Sequence, residues 1–149
     1  MSNVKDQLIL FSVMFVIAIT VNVMNVMVYS PDHLYFSLPL VYASLYMAST
    51  MIWGHQIVHY LQKGHFSITI FGIGVCLSLV LIYVMRNQLV TSPQDWIKRM
   101  IPHHSMALTT TANMIQNNDL TATSYIYNLG KGIIYSQEKE ILFMDNMLI

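Results

Sequence analysis

The chain has 149 residues, 55% of them hydrophobic and only 9% charged, with seven Lys or Arg against seven Asp or Glu. Soluble domains carry about a quarter charged residues, so this composition points to a membrane. The absence of net charge and of any dense basic run argues against nucleic acid as a partner, and a single cysteine, Cys76, rules out an internal disulfide.

The first long apolar segment, Leu8 to Val28, holds no charged residue and is long enough to cross a hydrocarbon core of about 30 Å. Its length, and the lack of a small-residue cleavage pattern after it, predict an uncleaved anchor. Asn22 and Asn25 inside it predict bonds across helices. A turn signal, "SPDH" at Ser30 to His33, precedes a second apolar segment from about Leu38 to Tyr60. The third, Phe66 to Met85, follows after only "LQKGH", which forces an antiparallel pair. Ser44 with Ala48, and Gly72 with Cys76, are small residues at four-residue spacing that predict a close helix approach. The expectation is therefore a three-span anchor over residues 1–88, with spans at about 8–28, 38–60 and 66–85.

Beyond Arg86 the texture turns amphipathic. "TSPQDW" reads as a helix start, with Ser92 as N-cap, Pro93 at the first helical position and Asp95 suited to the helix dipole. That helix is predicted to run to about Gln116, break at "NND" and be followed by another from about Leu120 to Met147. Residues 89–149 thus read as a helical hairpin, and no strand-like alternation competes anywhere. Lys5 and Lys63 on one side of the membrane, against Arg86, Lys98 and Arg99 on the other, leave orientation undecided. With three spans, the loop holding Asp32 and His33 shares a side with the hairpin.

"RMIPHHSMALTTTANM", Arg99 to Met114, carries the densest set of metal-ligating residue types. At 100° per residue the two histidines cannot point the same way. His104 shares a stripe with Ile97, Met100, Leu108, Thr111 and Ile115, the apolar face, and reads as a core histidine holding a hydrogen bond. His103 aligns with Trp96, Met106, Ala107, Thr110 and Met114, a stripe suited to a soft ion such as Cu(I) or Ag(I). Pro102 lacks an amide hydrogen and predicts a kink just before the pair. On the second hairpin helix Gln137, Glu140, Ile141, Met144 and Leu148 share a face, and a carboxylate there can orient an imidazole. Twelve methionines exceed ordinary usage and either fill packing gaps or supply thioether sulfur. Met47, Met51, His55 and His59 form a second set in the middle segment.

"WIKRMIPHHSMAL" followed by "YSQEKEILFMDNML" resembles the domain-of-unknown-function family numbered three hundred and five, and "DHLYFS" resembles its membrane-anchored subgroup. The matching residues are Met100, Pro102, His103, His104, Ala107, Gln137, Glu140 and Met144. The resemblance covers roughly Asp95 to Ile149 and implies a ferritin-like helical bundle, association with copper or silver, and a hairpin outside the cytoplasm, as in a bacterial inner membrane. Two features depart from the family. Thr110 stands where it usually has methionine, so Met106 or Met114 would substitute. This chain also has one copy of the motif where secreted members often have two, so half a bundle would be completed by a homo-oligomer, at least a dimer.

The expected function is a membrane-anchored, lipid-embedded protein that binds Cu(I) for storage, sensing or delivery. The expected metal residues are His103, His104, Met100, Met106, Met114 and Met144, with Gln137 and Glu140 behind them and His33, His55 and His59 as further ligand candidates. The alternative is a structural subunit without metal, which self-assembles or docks on a larger membrane complex. No enzyme is expected. Di-iron ferritin-like chemistry needs Glu-x-x-His pairs, and neither these nor a phosphate-binding glycine loop nor a nucleophile elbow occurs.

Overall fold

The computed structural model describes residues 4–148. In chain order it has α1 (Val4–Thr20), a short α2 (Val23–Val26), a 3-10 turn (Pro31–His33), α3 (Leu38–Lys63), α4 (Ile68–Arg86), α5 (Pro93–Asn117) and α6 (Tyr125–Asn146). No strand occurs among the described residues, in keeping with the all-α expectation. The chain forms two compact units, 4–22 with 38–91 and 23–37 with 92–148. Residues 23–37, expected in the anchor, thus belong to the unit that holds the hairpin.

In the first unit α3 packs against both α1 and α4. Among the described residues two stretches are long and apolar enough to cross a membrane, Val4–Val26 and Ile68–Arg86. The expected third span is not among them. With 26 residues α3 is long enough, but Ser44, Ser49, Thr50, His55, Gln56 and His59 dilute its apolar content. These side chains have a place to go. Ser44, Ser49 and Gln56 are fully buried, the Ser49 hydroxyl lies 2.8 Å from that of Ser78, and the Trp53 indole N–H donates to Ser78 at 3.3 Å.

The close approach of α4 uses Gly74 and Ser78, not Gly72 and Cys76. A Cβ at Gly74 would sit 3.1 Å from the backbone nitrogen of Trp53, whereas Gly72 faces open space and Cys76 is exposed. Gly64 ends α3 with φ +69°, a left-handed conformation that costs glycine little. Its N–H donates to the Tyr60 carbonyl at 2.8 Å.

In the second unit Ser92 caps α5 as its sequence predicts. Its Oγ accepts from the Asp95 N–H at 3.1 Å and its hydroxyl donates to the Asp95 carboxylate at 2.7 Å, satisfying one of the unpaired donors of the first turn. The helix runs unbroken through Pro102, whose ring is fully buried. Helix α6 starts at Tyr125, later than expected, after a turn in which Asp119 has φ +45°. Gly130 lets α6 approach α5 closely, since a Cβ there would meet Ile115 at 2.8 Å. The core is small: Ile97, Ile101 and Leu108 from α5 with Ile141 and Met144 from α6, and Tyr35, Met100, Ile134 and Leu148 packed around them. Tyr35 donates to the Asp145 carboxylate at 3.2 Å. Burial, and then the neighbouring Asp145 charge, push its phenol pKa up.

Candidate functional site

The helical register separates the histidine pair as its spacing predicts. His103 is exposed and His104 is buried on the α5 face that carries Ile97, Ile101 and Leu108; the ring centroids are 5.7 Å apart at 66°. His104 Nδ1 lies 2.8 Å from the Met100 carbonyl and Nε2 lies 2.7 Å from Glu140 Oε2. A carbonyl only accepts, so Nδ1 carries a hydrogen. An ionised carboxylate accepts as well, so the His104 ring bridges the Met100 carbonyl and the Glu140 carboxylate.

Glu140 favours that ionised form. The Ser136 hydroxyl, donating to Oε1 at 3.0 Å, and then the His104 bond hold its carboxyl below the usual range. Glu140 itself is half-exposed. As placed, both His104 nitrogens are engaged in hydrogen bonds.

Beside this pair lies an open groove of about 1030 Å³ between α5 and α6. Its wall includes Trp96, Met100, His104, Glu140, Met144 and Met147. The thioethers it offers thus come from both sides, Met100 from α5, Met144 from α6 and Met147 from the residue that follows α6. Met106 and Met114 are half-buried on α5 and do not line it, and neither does exposed His103. Three methionines thus share the groove with His104. Met147, absent from the expected set, stands three residues after Met144 and continues its face into the groove. Gln137 is half-buried, and it is Glu140 that meets the histidine.

The further ligand candidates are scattered. His33 Nδ1 lies 2.8 Å from the hydroxyl of Ser105, which also accepts from the Tyr29 N–H at 2.7 Å. Ser105 was invisible as a functional position although it shares the apolar stripe with Ile101 and Leu108, where a buried hydroxyl needs partners. His55 Nδ1 is 3.0 Å from Gln7 Nε2, and His59 Nδ1 donates to the His65 carbonyl at 2.9 Å. Among the described residues no three His, Cys, Asp or Glu side chains gather into a metal-holding group. The Asn25 carboxamide oxygen is buried without a hydrogen-bond partner, so the cross-helix bond expected of it is not made there.

No family model matches the chain, and no solved structure does. Over 106 residues it is 31% identical to uncharacterized protein L153 of Acanthamoeba polyphaga mimivirus, covering 69% of this chain and 68% of the viral one. The chain belongs to the family of that viral protein. The name of L153 carries no activity, so membership of the L153 family brings neither ligand nor reaction with it.

Proposed function

We propose that this chain is a membrane-anchored protein that binds a soft monovalent ion, Cu(I) or Ag(I), in the groove between α5 and α6, for storage, sensing or delivery. The observation that carries this is the presence of Met100, Met144 and Met147 on one groove wall together with His104. Thioether sulfur selects soft ions, whereas a hard divalent cation favours several carboxylate or carbonyl oxygens, and this wall offers one carboxylate, Glu140, with the hydroxyls of Tyr135 and Ser136 and the Lys139 ammonium beside it. Met100 and Met144 would hold the ion, with Met147 at the groove's outer part. His104 would join them only by exchanging its contact with Glu140 for the ion. The bound ion would supply affinity and redox capacity; the protein's own part is to present sulfur and keep the imidazole in place.

Anchoring in a membrane is supported by the length and apolar character of Val4–Val26 and of α4. Insertion of α3 as a third span is supported by the burial of its Ser44, Ser49 and Gln56, which removes their polar groups from lipid. Kinship with the ferritin-like His-His family, an extracytoplasmic hairpin and completion of the bundle by a second copy belong to the same proposal. A specific observation favours the structural alternative: both His104 nitrogens are hydrogen-bonded, as in a histidine that only clamps two helices.

Metal content decides between them. The detergent-purified protein, loaded with Cu(I) under reducing conditions and desalted, is expected to retain stoichiometric copper by mass spectrometry. Met100→Leu combined with Met144→Leu, a volume-conserving pair, is expected to lose it, and His103→Ala to keep it. Wild type holding no more copper than the double variant would leave the structural reading standing.

A further inference from the structure

The first unit carries two histidines one helical turn apart near the end of α3, His55 and His59. Residues four apart are neighbours on a helix surface, and these rings stand 6.1 Å apart at 44°. Both are half-buried, and each is held at its Nδ1 atom. His59 Nδ1 donates to the His65 carbonyl at 2.9 Å, just after Gly64 turns the chain back with φ +69°. A carbonyl only accepts, so the hydrogen sits on Nδ1 and the neutral ring keeps its lone pair on Nε2. His55 Nδ1 lies 3.0 Å from Gln7 Nε2, while Gln7 Oε1 is buried with no hydrogen-bond partner. Turning that amide over therefore sacrifices no other bond. With its carbonyl on Nδ1 the amide takes the hydrogen there and frees Nε2 on His55 as well.

We propose that His55 and His59 form a two-imidazole site for a divalent transition cation of borderline softness, the class of Zn(II), Ni(II) and Cu(II), bound through both Nε2 atoms. Imidazole suits these ions, whereas the thioethers of the α5–α6 groove suit Cu(I) and Ag(I). A ligating histidine ordinarily passes its other ring hydrogen to a carbonyl or carboxylate, which fixes the tautomer and aims the ring. The His65 carbonyl does this for His59, and the Gln7 amide stands in the same place for His55. Two rings whose nitrogens lie about 2.1 Å from one tetrahedral ion stand about 5 Å apart, so the pair has about 1 Å to close. With two protein ligands the remaining positions are left to water or an incoming ligand. His65 takes part through its backbone, and its exposed ring, 6.4 Å from that of His59, is not needed. The site lies wholly within the first unit, so it and the soft-ion groove stand or fall separately.

The test adds one equivalent of Cu(II), the tightest-binding ion of the divalent series, to the detergent-purified full chain without reductant. Pulsed electron paramagnetic resonance counts the imidazoles on the ion, and two are expected in wild type. His55→Ala and His59→Ala should each leave one imidazole and weaken binding about 100-fold. Gln7→Leu, which removes only the support behind His55, should keep two imidazoles and weaken binding about tenfold. His65→Ala keeps its backbone carbonyl and should leave both readings unchanged, as should the Met100→Leu, Met144→Leu double variant. The two histidine variants cover each other should one fail to fold. One imidazole per Cu(II) in wild type, the pattern of copper scattered over separate histidines, would overturn the proposal. So would two imidazoles that persist in both histidine variants or that are lost in His65→Ala. None of these outcomes touches the groove, which is read from retained Cu(I).

Discussion

The three-helix unit buries Gln7, Ser44, Ser49, Gln56 and Ser78 and exposes Val13, Val16, Ile17, Ile73, Leu79 and Val80, whereas the hairpin unit buries Ile97, Ile101, Leu108, Ile141 and Met144. The first unit also buries Ala18, Leu40, Ala48 and Leu81, so the units differ in degree, with polar side chains a larger share of what the first one buries. In water the apolar side chains drive packing by leaving the solvent. In lipid that drive is absent between helices, and small residues, close contact and polar pairs hold them together. His104 and Ser105 are polar side chains buried in the hairpin with hydrogen bonds made, and Ser37 of the same unit is buried with its hydroxyl unpartnered.

Truncating the hairpin core should separate the units most sharply. Ile101 is fully buried in a core of few residues, so Ile101→Ala is expected to cost about 3 kcal/mol. Hydrogen exchange in detergent should then show α5 and α6 losing protection while α4 keeps it. The next largest effect belongs to the other unit. Gly74→Leu drives a side chain against the Trp53 backbone, which cannot swing away as a flexible side chain would. It should destabilise α3 against α4 by about 2 kcal/mol, read by denaturant titration with the hairpin's transition unmoved. Ser78→Ala removes a polar contact that α4 makes with Ser49 and Trp53 and should cost only about 0.6 kcal/mol, a typical polar contact between helices in a membrane.

The smallest effect is a pH slope. The Glu140 carboxyl is held below its usual range in the folded state. Its contribution is therefore complete above the unfolded value of about 4.3 and disappears as pH falls through the lower folded value. Wild-type hairpin should lose stability in that acid window, and Glu140→Gln should flatten this part of the curve. An equal acid slope in both proteins would show that the His104 contact carries no charge of consequence.

Local chemistry explains what was legible in the sequence. The Ser92 cap, Pro93 and Asp95 act within one turn, so the start of α5 is written in adjacent residues. The burial of His104 and exposure of His103 follow from helical spacing alone. Choices between equivalent stripes were not legible. Gly72 with Cys76 and Gly74 with Ser78 have the same spacing, and only the position of Ser49 and Trp53 on α3 selects the second. Gln137 and Glu140 were equal candidates to meet a histidine until the α5–α6 register chose Glu140. The His33–Ser105 contact joins residues 72 positions apart, and no periodicity reports such a pairing. Gln7, at the polar edge of the first apolar segment, looked like a flank and is instead buried against α3.

X-ray absorption at the copper K-edge of the Cu(I)-loaded full chain tests the central claim most directly. Thioether binding in the α5–α6 groove predicts sulfur scatterers in the first shell, lost in the Met100→Leu, Met144→Leu double variant and retained in His103→Ala. A first shell of nitrogen and oxygen alone, or a spectrum unchanged by the double variant, would contradict it.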